Sequence, residues 1–372
     1  MKFTISRDPL HAALAAVARA VEASTIPILA NALLQTSGEA LLLRASDLDI
    51  EILARAAAKI EGGGEITVSA RALRDIVAKM SAGADIGFEL DDARLIIRSG
   101  RARFVLQTLP AADFPDFAAV AATHSFAISA KALGALIDAC ACAISTEETR
   151  YYLNGIFIHI PESAKRLRFV ATDGHRLALV EGPEAAGAEG MPAIIVPRKA
   201  IAEIARLAAK AEGDVEIALS SAKLAATFAD GTRLTTKLID GTFPEYSRVV
   251  PYANPLHATA DRALLAAALD RVATITSARG GAVKLTVRDA TLTLSVVNPD
   301  AGESRDEIEV DVLADGDGDE IEIGFNARYL AEILAAVAAD RVTLDLASPA
   351  DPTLIHSADG GDSKFVLMPL RV

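Results

Sequence analysis

The side chains with the most obvious chemistry in this sequence lie in one short run, Thr172-Asp173-Gly174-His175-Arg176-Leu177. An Asp and a His can pass a proton between them as general base and acid. Here they stand two residues apart, and no Ser or Cys nucleophile motif accompanies them. The six histidines are scattered without metal-ligand spacing. There is no Gly-Lys phosphate loop. The run Asp315-Gly316-Asp317-Gly318-Asp319 hints at a calcium loop, but Glu320 stands where the turn glycine belongs and Asn326 where the closing glutamate belongs. We read it as an acidic turn. The expectation is a protein without catalysis, metal or cofactor.

Positive charge is the second resource. The net charge is −13, which taken alone disfavours nucleic-acid binding, because phosphate contacts need Lys and Arg. The distribution says something else. Lys199, Glu203, Arg206 and Lys210 follow at steps of 4, 3 and 4 and share one helical face, with Ile201, Ile204 and Ala208 opposite. One such face is an ordinary solvated one. Over six segments that read as helices, however, 13 basic residues, Arg71 and Arg74 among them, stand against 9 acidic ones. The helices therefore carry +4 and the remainder −17. An acidic body with basic helices is a polarised molecule.

The helices arise from a repeat. Apolar residues recur at i, i+3, i+4 and i+7 as Leu10, Ala13, Leu14, Val17 and as Leu73, Ile76, Val77, Met80. Leu133, Leu136, Ile137, Cys140 and Ile201, Ile204, Ala205, Ala208 follow. Leu265, Ala268, Leu269, Val272 and Leu330, Ile333, Leu334, Val337 complete the set. Four residues before the first apolar position stand Ser6, Ser69, Ser129, Asp261 and Asn326, types that accept hydrogen bonds from free helix N–H groups. The fourth copy has Pro197 there and must start differently.

Leu73 to Ile201 is 128 residues and Ile201 to Leu330 is 129. Phe114-Pro115 and Phe243-Pro244 lie 129 apart, and Phe104-Val105-Leu106 recurs as Phe365-Val366-Leu367. Alternating runs at 40–52, 167–180 and 292–297 read as strands. The expected fold is α+β, three pseudo-repeated domains, each with two helices backing antiparallel sheets. Proline-bearing connectors place the domains at 1–122, 123–254 and 255–372.

The length of 372 residues suits several domains. No apolar run approaches the ~20 residues of a membrane span. Met1-Lys2-Phe3-Thr4 has no signal-peptide pattern, and Cys140 and Cys142 sit in an apolar helical pattern that suits a reduced compartment. A cytoplasmic chain with no membrane partner is expected. If the six basic helices line a ring, each about 10 Å wide, the hole is about 9 Å, whereas twelve give about 28 Å. A duplex is roughly 20 Å across, so two copies are needed. A closed two-fold ring is a common assembly symmetry.

Six strings complete the picture. They are Arg150-Tyr151-Tyr152-Leu153-Asn154-Gly155, Thr172-Asp173-Gly174-His175-Arg176-Leu177, Ile195-Val196-Pro197-Arg198-Lys199, Phe243-Pro244-Glu245-Tyr246, Ile323-Gly324-Phe325-Asn326 and Met368-Pro369-Leu370-Arg371-Val372. With the repeats, they resemble the bacterial sliding-clamp family, the beta subunits of DNA polymerase III, along the whole chain. The resemblance implies domains of the DNA-clamp type closing as a dimeric ring. Such a homodimer encircles duplex DNA independently of sequence and tethers the replicative polymerase. It is opened by a clamp loader and docks other proteins through clamp-binding peptide motifs.

The resemblance also implies site residues. A peptide-binding pocket between the second and third domains would use Leu153, Thr172, Gly174, His175, Arg176, Leu177, Pro244, Arg248, Val249, Asn326, Tyr329, Val366, Met368, Pro369 and Leu370. The family usually has a large apolar residue where this chain has Ala278-Arg279-Gly280-Gly281. DNA would be touched by the loop Arg150, Tyr151 and Tyr152 and by Arg198 and Lys199 at a helix start, with Arg71, Arg74, Arg206 and Lys210 as further basic helix positions. Phe104, Leu106 and Ile275 match apolar positions of the dimer seam. A repeat scaffold that oligomerises without DNA is the competing architecture, and the concentration of Arg and Lys on the helices speaks against it.

Overall fold

The computed structural model describes residues 1–21, 26–162, 164–276, 281–314 and 320–371. The acidic run Asp315–Asp319 and residues Ala278, Arg279 and Gly280 lie outside them. The chain forms two compact units. One comprises Met1–Gly134, Ala185–Pro192 and Lys199–Leu238; the other comprises Ala135–Glu184, Ala193–Arg198 and Ile239–Val372.

Helices occupy the six repeat positions: α1 Arg7–Val17, α2 Ala70–Ala78, α3 Ala130–Ala141, α4 Arg198–Ala208, α5 Arg262–Ala273 and α6 Ala327–Ala336. Each buries the apolar stripe that its sequence spells. Leu10, Leu14, Val17, Leu73, Val77, Cys140, Leu265, Leu330 and Leu334 are all buried. Fully burying a side chain of this size is worth about 1.5–3 kcal/mol, so the stripes dictate which face turns inward.

The caps hold in four of the five expected places. Ser69 Oγ accepts from Ala72 N at 3.3 Å, Ser129 Oγ from Ala132 N at 3.2 Å and Asp261 Oδ1 from Leu264 N at 2.8 Å. Asn326 Oδ1 accepts from both Arg328 N and Tyr329 N. Ser6 makes no side-chain cap; instead Arg7 N donates to the Ala84 carbonyl at 2.8 Å. At α4, where Pro197 has no N–H to offer, Arg198 N donates to the Asn154 carbonyl at 2.9 Å. The helices are also shorter than the sequence suggests, because Arg19, Lys79, Lys210 and Asp340 fall beyond the last turns.

The first unit contains a thirteen-stranded antiparallel sheet, and it does not stop at residue 122. Strand Ile50–Ala57 pairs with strand Arg233–Lys237, with Leu53 opposite Arg233 and Ile50 opposite Thr236. In the second unit a nine-stranded sheet repeats this joint, with Arg176–Glu184 against Ser363–Leu367 and Leu177 opposite Val366. A strand edge exposes unpaired N–H and C=O groups, and pairing across the repeats satisfies them. A four-stranded sheet completes the second unit, in the order Gly302–Glu309, Thr291–Asn298, Ala282–Arg288, Ile321–Asn326. No described helix is long and apolar enough to cross a membrane. Both cysteines are free, and burial pushes the Cys142 thiol up to about 11.

Candidate functional site

The run Thr172–Leu177 forms a tight turn between strands Arg166–Thr172 and Arg176–Glu184. Thr172 Oγ1 donates to the Arg176 carbonyl at 2.7 Å and accepts from Gly174 N at 3.1 Å. Asp173 Oδ1 accepts from His175 N at 2.9 Å and Arg176 N at 3.0 Å, while Oδ2 takes Arg176 Nε at 3.2 Å. Both carboxylate oxygens are therefore engaged in holding the turn. Gly174 has φ +88, and a Cβ there would lie 2.5 Å from Arg150 Nη1. The His175 ring stacks beside Tyr329 at 6.2 Å.

The same turn occurs one repeat earlier. Leu48 N donates to Ser46 Oγ at 3.1 Å, and Asp47 Oδ1 accepts from Asp49 N and Ile50 N at 3.0 and 2.8 Å. Leu48 takes φ 80 where Gly174 stands in the copy. What differs is the outward chemistry, since Asp49 and Ile50 replace His175 and Arg176.

Arg176 is buried and lies 4.2 Å over the Tyr329 ring. Its Nη1 forms an ion pair with Glu332 at 2.5 Å that lacks hydrogen-bond alignment. Asn326, as the α6 cap, sets the helix start that presents Tyr329. Beneath the turn, Leu153, Leu177 and Val366 belong to one buried cluster with Val170, Leu179, Phe243, Tyr246 and Val250. Met368 N donates to the His175 carbonyl at 2.9 Å, which ties the C-terminal segment to the turn. Leu370 N is held instead by the Gly324 carbonyl at 2.8 Å. Around this floor, Pro244, Arg248, Val249, Met368 and Leu370 are exposed and Pro369 is half-buried. The arrangement is an apolar floor with exposed apolar flanks and a few polar anchors, which can hold an extended peptide. Among the described residues no group of His, Cys, Asp and Glu could hold a metal.

The candidate DNA residues separate into two kinds. Tyr151 is exposed and meets Tyr152 edge-on at 5.8 Å, while Tyr152 packs against the buried cluster. Arg150 is spent on Glu147 at 2.8 Å and on the Asp173 carbonyl at 2.9 Å. On α4 most of the shared polar face is covered, and only Lys210 of its four residues is exposed. Glu203 is 5% exposed and accepts from Arg19 Nε at 3.2 Å and Arg206 Nε at 2.7 Å. Arg206 Nη2 also donates to the Ala16 carbonyl, and Lys199 pairs with Asp47. The 4-3-4 spacing was right about one face, but that face abuts the end of α1, which no local pattern reveals. Arg198, Lys210 and Arg71 remain exposed, and Arg74 pairs with Asp75 at 2.8 Å. Within the helix bounds above, ten basic residues still outnumber six acidic ones.

Phe104 and Leu106 are half-buried on strand Ala102–Leu109. Along 102–107 this strand pairs on one side only, with Arg94–Ser99; only Thr108 and Leu109 reach strand Glu65–Ser69. Strand Gly302–Glu309 likewise pairs only with Thr291–Asn298. Sequence reasoning missed this second open edge, whose signal was the alternation of Glu303, Arg305, Glu307 and Glu309. Ile275 is half-buried beyond α5, and its carbonyl accepts from Asn298 Nδ2 at 2.7 Å.

Comparison with known proteins covers the whole chain. Residues 1–118, 127–245 and 247–371 match the N-terminal, central and C-terminal domains of the DNA polymerase III beta subunit. The beta sliding clamp of Caulobacter vibrioides is 46% identical over 377 residues, covering 100% of both chains. Among solved structures, the sliding clamp of Bartonella birtlesii bound to griselimycin superposes with a TM-score of 0.96 at 41% identity, covering 100% of both chains. The Caulobacter crescentus polymerase III beta structure gives 0.94 at 46% identity, again over 100% of both.

Proposed function

Because the chain belongs to the DNA polymerase III beta subunit family, the beta sliding clamps of bacteria, we propose that two copies of it close head to tail into a ring around duplex DNA. The protein acts as a DNA sliding clamp in replication, with DNA and polymerase as partners, and not as an enzyme. Its three-domain clamp fold carries six helices and large antiparallel sheets. We place the domain limits at residues 122 and 254.

One observation supports closure by a second copy. The strand joint occurs twice, Ile50–Ala57 with Arg233–Lys237 and Arg176–Glu184 with Ser363–Leu367. A third such joint at the same interval would use Gly302–Glu309 and Ala102–Leu109, strands that each leave an edge open. Within one joint of two identical chains these edges are different surfaces, so the contact is heterologous and closes as a ring if the rotation allows. The charges agree. Arg101 and Arg103 lie at the Ala102–Leu109 edge, and Glu303, Asp306, Glu307 and Glu309 outnumber Arg305 on Gly302–Glu309. Phe104, Leu106 and Ile275 would provide the apolar part.

A ring holds DNA topologically, so its contacts need only meet phosphate, which positions without reading sequence. Tyr151, Arg198, Lys210 and Arg71 are the exposed candidates, with Arg150, Tyr152, Arg74, Lys199 and Arg206 acting through the scaffold behind them. The pocket around Thr172–Leu177 would take short peptide motifs from the polymerase, a clamp loader and other partners. A tethered polymerase rebinds the primer end at high effective concentration, and processivity follows. The compartment is the cytoplasm.

The test is to load the protein on nicked circular DNA with a clamp loader and then linearise the circle. Retention before cutting and release after it is the expected result. Association that is indifferent to cutting would sink the ring.

A further inference from the structure

We propose that His159 and Arg168 are positioning residues of the peptide pocket. Acting through the Tyr246 hydroxyl, they hold the Pro244–Val249 wall in place while His159 is neutral and release it when His159 is protonated. This rests on the reading of the surface around Thr172–Leu177 as a peptide pocket.

The wall belongs to the segment between Ile239 and Asn254. Ile239 N donates to the Ile195 carbonyl at 3.0 Å, and the Asn254 side-chain amide donates to the Asp345 and Pro352 carbonyls. Among the described residues, no backbone hydrogen bond ties residues 240–253 to a strand. Side chains therefore set the place of the wall. The Phe243 ring stacks on Phe157 at 4.7 Å with 1° between the planes, and Phe157 stacks in turn on His159 at 4.7 Å. Tyr246 is buried in the same cluster as Leu177 and Val366. Its hydroxyl lies 2.8 Å from His159 Nε2 and 3.0 Å from Arg168 Nη1.

The sheet beneath is patterned to receive this ring. His159 stands opposite Arg168, and Arg168 opposite Glu181, a polar row across three strands. Two residues along each strand, on the same face, Phe157, Val170 and Leu179 form an apolar row that Ile195 extends. Tyr246 packs its ring with the apolar row and sets its hydroxyl on the polar one.

The hydrogen bonds fix the charge state. A guanidinium only donates, so the Tyr246 oxygen accepts from Arg168. The hydroxyl proton has His159 Nε2 as its acceptor and no other among the described residues. Nε2 must therefore be bare, and the ring neutral. Protonation would leave the hydroxyl proton unpaired in a buried site and set a second cation beside Arg168. The carboxylates that face the pair do not offset this. Glu181 is engaged by Arg168 Nε at 2.7 Å, and Glu245 is exposed and accepts from Ser247 Oγ at 2.6 Å. Burial and then Arg168 push the His159 pKa below its usual value, while Glu181 and Glu245 pull the other way. The neutral form thus prevails at pH 7 and gives way only as pH falls below about 6.5. Once the hydroxyl lets go, Pro244, Arg248 and Val249 lose their fixed spacing from Leu177 and Val366.

The experiment measures binding of a terminally blocked peptide from the cognate polymerase, free of Asp, Glu and His, by fluorescence anisotropy from pH 8 to pH 5. The full-length wild type is compared with His159→Gln and Tyr246→Phe. Gln offers an oxygen to the hydroxyl but does not titrate, and Phe keeps the ring but drops the tether. Wild-type affinity is expected to hold down to about pH 6.5 and then to fall by about fivefold or more, the scale of coupling between two sites. His159→Gln should bind like the wild type at pH 7 and show no such fall. Tyr246→Phe should bind more weakly at pH 7, also without the fall. Any contribution of His175 is common to all three proteins and cancels. A His159→Gln profile that matches the wild type overturns the proposal, and so does a Tyr246→Phe protein that keeps both the affinity and the profile. A wild type that takes no peptide at any pH strikes the pocket reading itself, whereas a wild type that binds equally across the range strikes only the positioning chain.

Discussion

Asp173 carries catalytic credentials and spends them on architecture. Its oxygens organise the backbone of a turn that the chain also builds at Ser46–Ile50, where Asp47 plays the same part. The recognition proposed at the second turn would come from what it displays: His175, the buried Arg176 and the Tyr329 ring beneath it. The flanking Val249 and Met368 are exposed and contribute little to folding. Val249→Ala and Met368→Ala should therefore leave thermal stability within about 0.5 kcal/mol. Each should weaken binding of a polymerase-derived peptide by roughly tenfold, as hot-spot truncations do, measured by calorimetry. A melting shift as large as the affinity loss would move these side chains from the pocket to the core.

A second residue-scale device lies in the nine-stranded sheet. His257 Nδ1 lies 2.7 Å from Asp345 Oδ1, and His356 Nε2 lies 3.0 Å from Asp345 Oδ2. Burial works to raise the Asp345 pKa, but the hydrogen bonds from His356 and His257 outweigh it and hold it low. The hydrogen bond to Asp345 raises the His356 pKa, against burial and the nearby Lys364. The raised His356 contributes stability below its unfolded value of about 6.5 and loses it as pH climbs through the folded value. The lowered Asp345 contributes above about 3.9 and loses it as pH falls through its folded value. Thermal stability of the second unit should therefore decline from pH 6.5 toward 8 in the wild type, and Asp345→Asn should flatten that decline. An unchanged slope in the variant would show that the cluster is not its source.

At the scale of elements, the repeated helix starts are not equivalent. Asp261 and Ser69 cap their helices through the N–H three residues on, whereas Ser6 does not, because that position is Pro9, which has no N–H; the N–H of Arg7 is held by the Ala84 carbonyl. Asp261→Ala and Ser69→Ala should each cost about 1 kcal/mol. Ser6→Ala should stay within about 0.5 kcal/mol in denaturant titration. Equal losses at all three would mean that the cap pattern, not the hydrogen bond, governs stability. The starts of α4 and α1 thus draw on distant backbone carbonyls, an option that a cap rule based on neighbouring residues does not contain.

For the whole molecule, the open edges are where assembly is proposed. Leu106 is half-buried on a strand with one free side, flanked by Arg103. Leu106→Asp places a charge where an apolar seam and acidic residues are proposed to meet. The variant should sediment as a monomer at micromolar concentration with an unchanged circular dichroism spectrum. A dimer that survives it would move the interface elsewhere. The polarised charge fits the proposed ring, because a ring needs cations only where DNA passes.

The sequence by itself determined the six helices, since each depends on apolar spacing along a few turns, as Leu265, Ala268, Leu269 and Val272 show. It determined the three-fold repeat, because equal spacings are read directly along the chain; the turn at Thr172–Leu177 is held by hydrogen bonds within five residues. It could also bring together Leu177, Val366 and Tyr329, but only through resemblance. Tertiary structure alone decided that Leu53 meets Arg233, that Glu203 is buried between two arginines, and that Lys199 and Arg206 face protein. These outcomes depend on partners more than 100 residues away for Leu53, Lys199 and the Glu203–Arg19 pair, as the separations of 152 and 184 for the latter two make plain. Local periodicity specifies which face a helix turns, but it carries no record of what that face will meet.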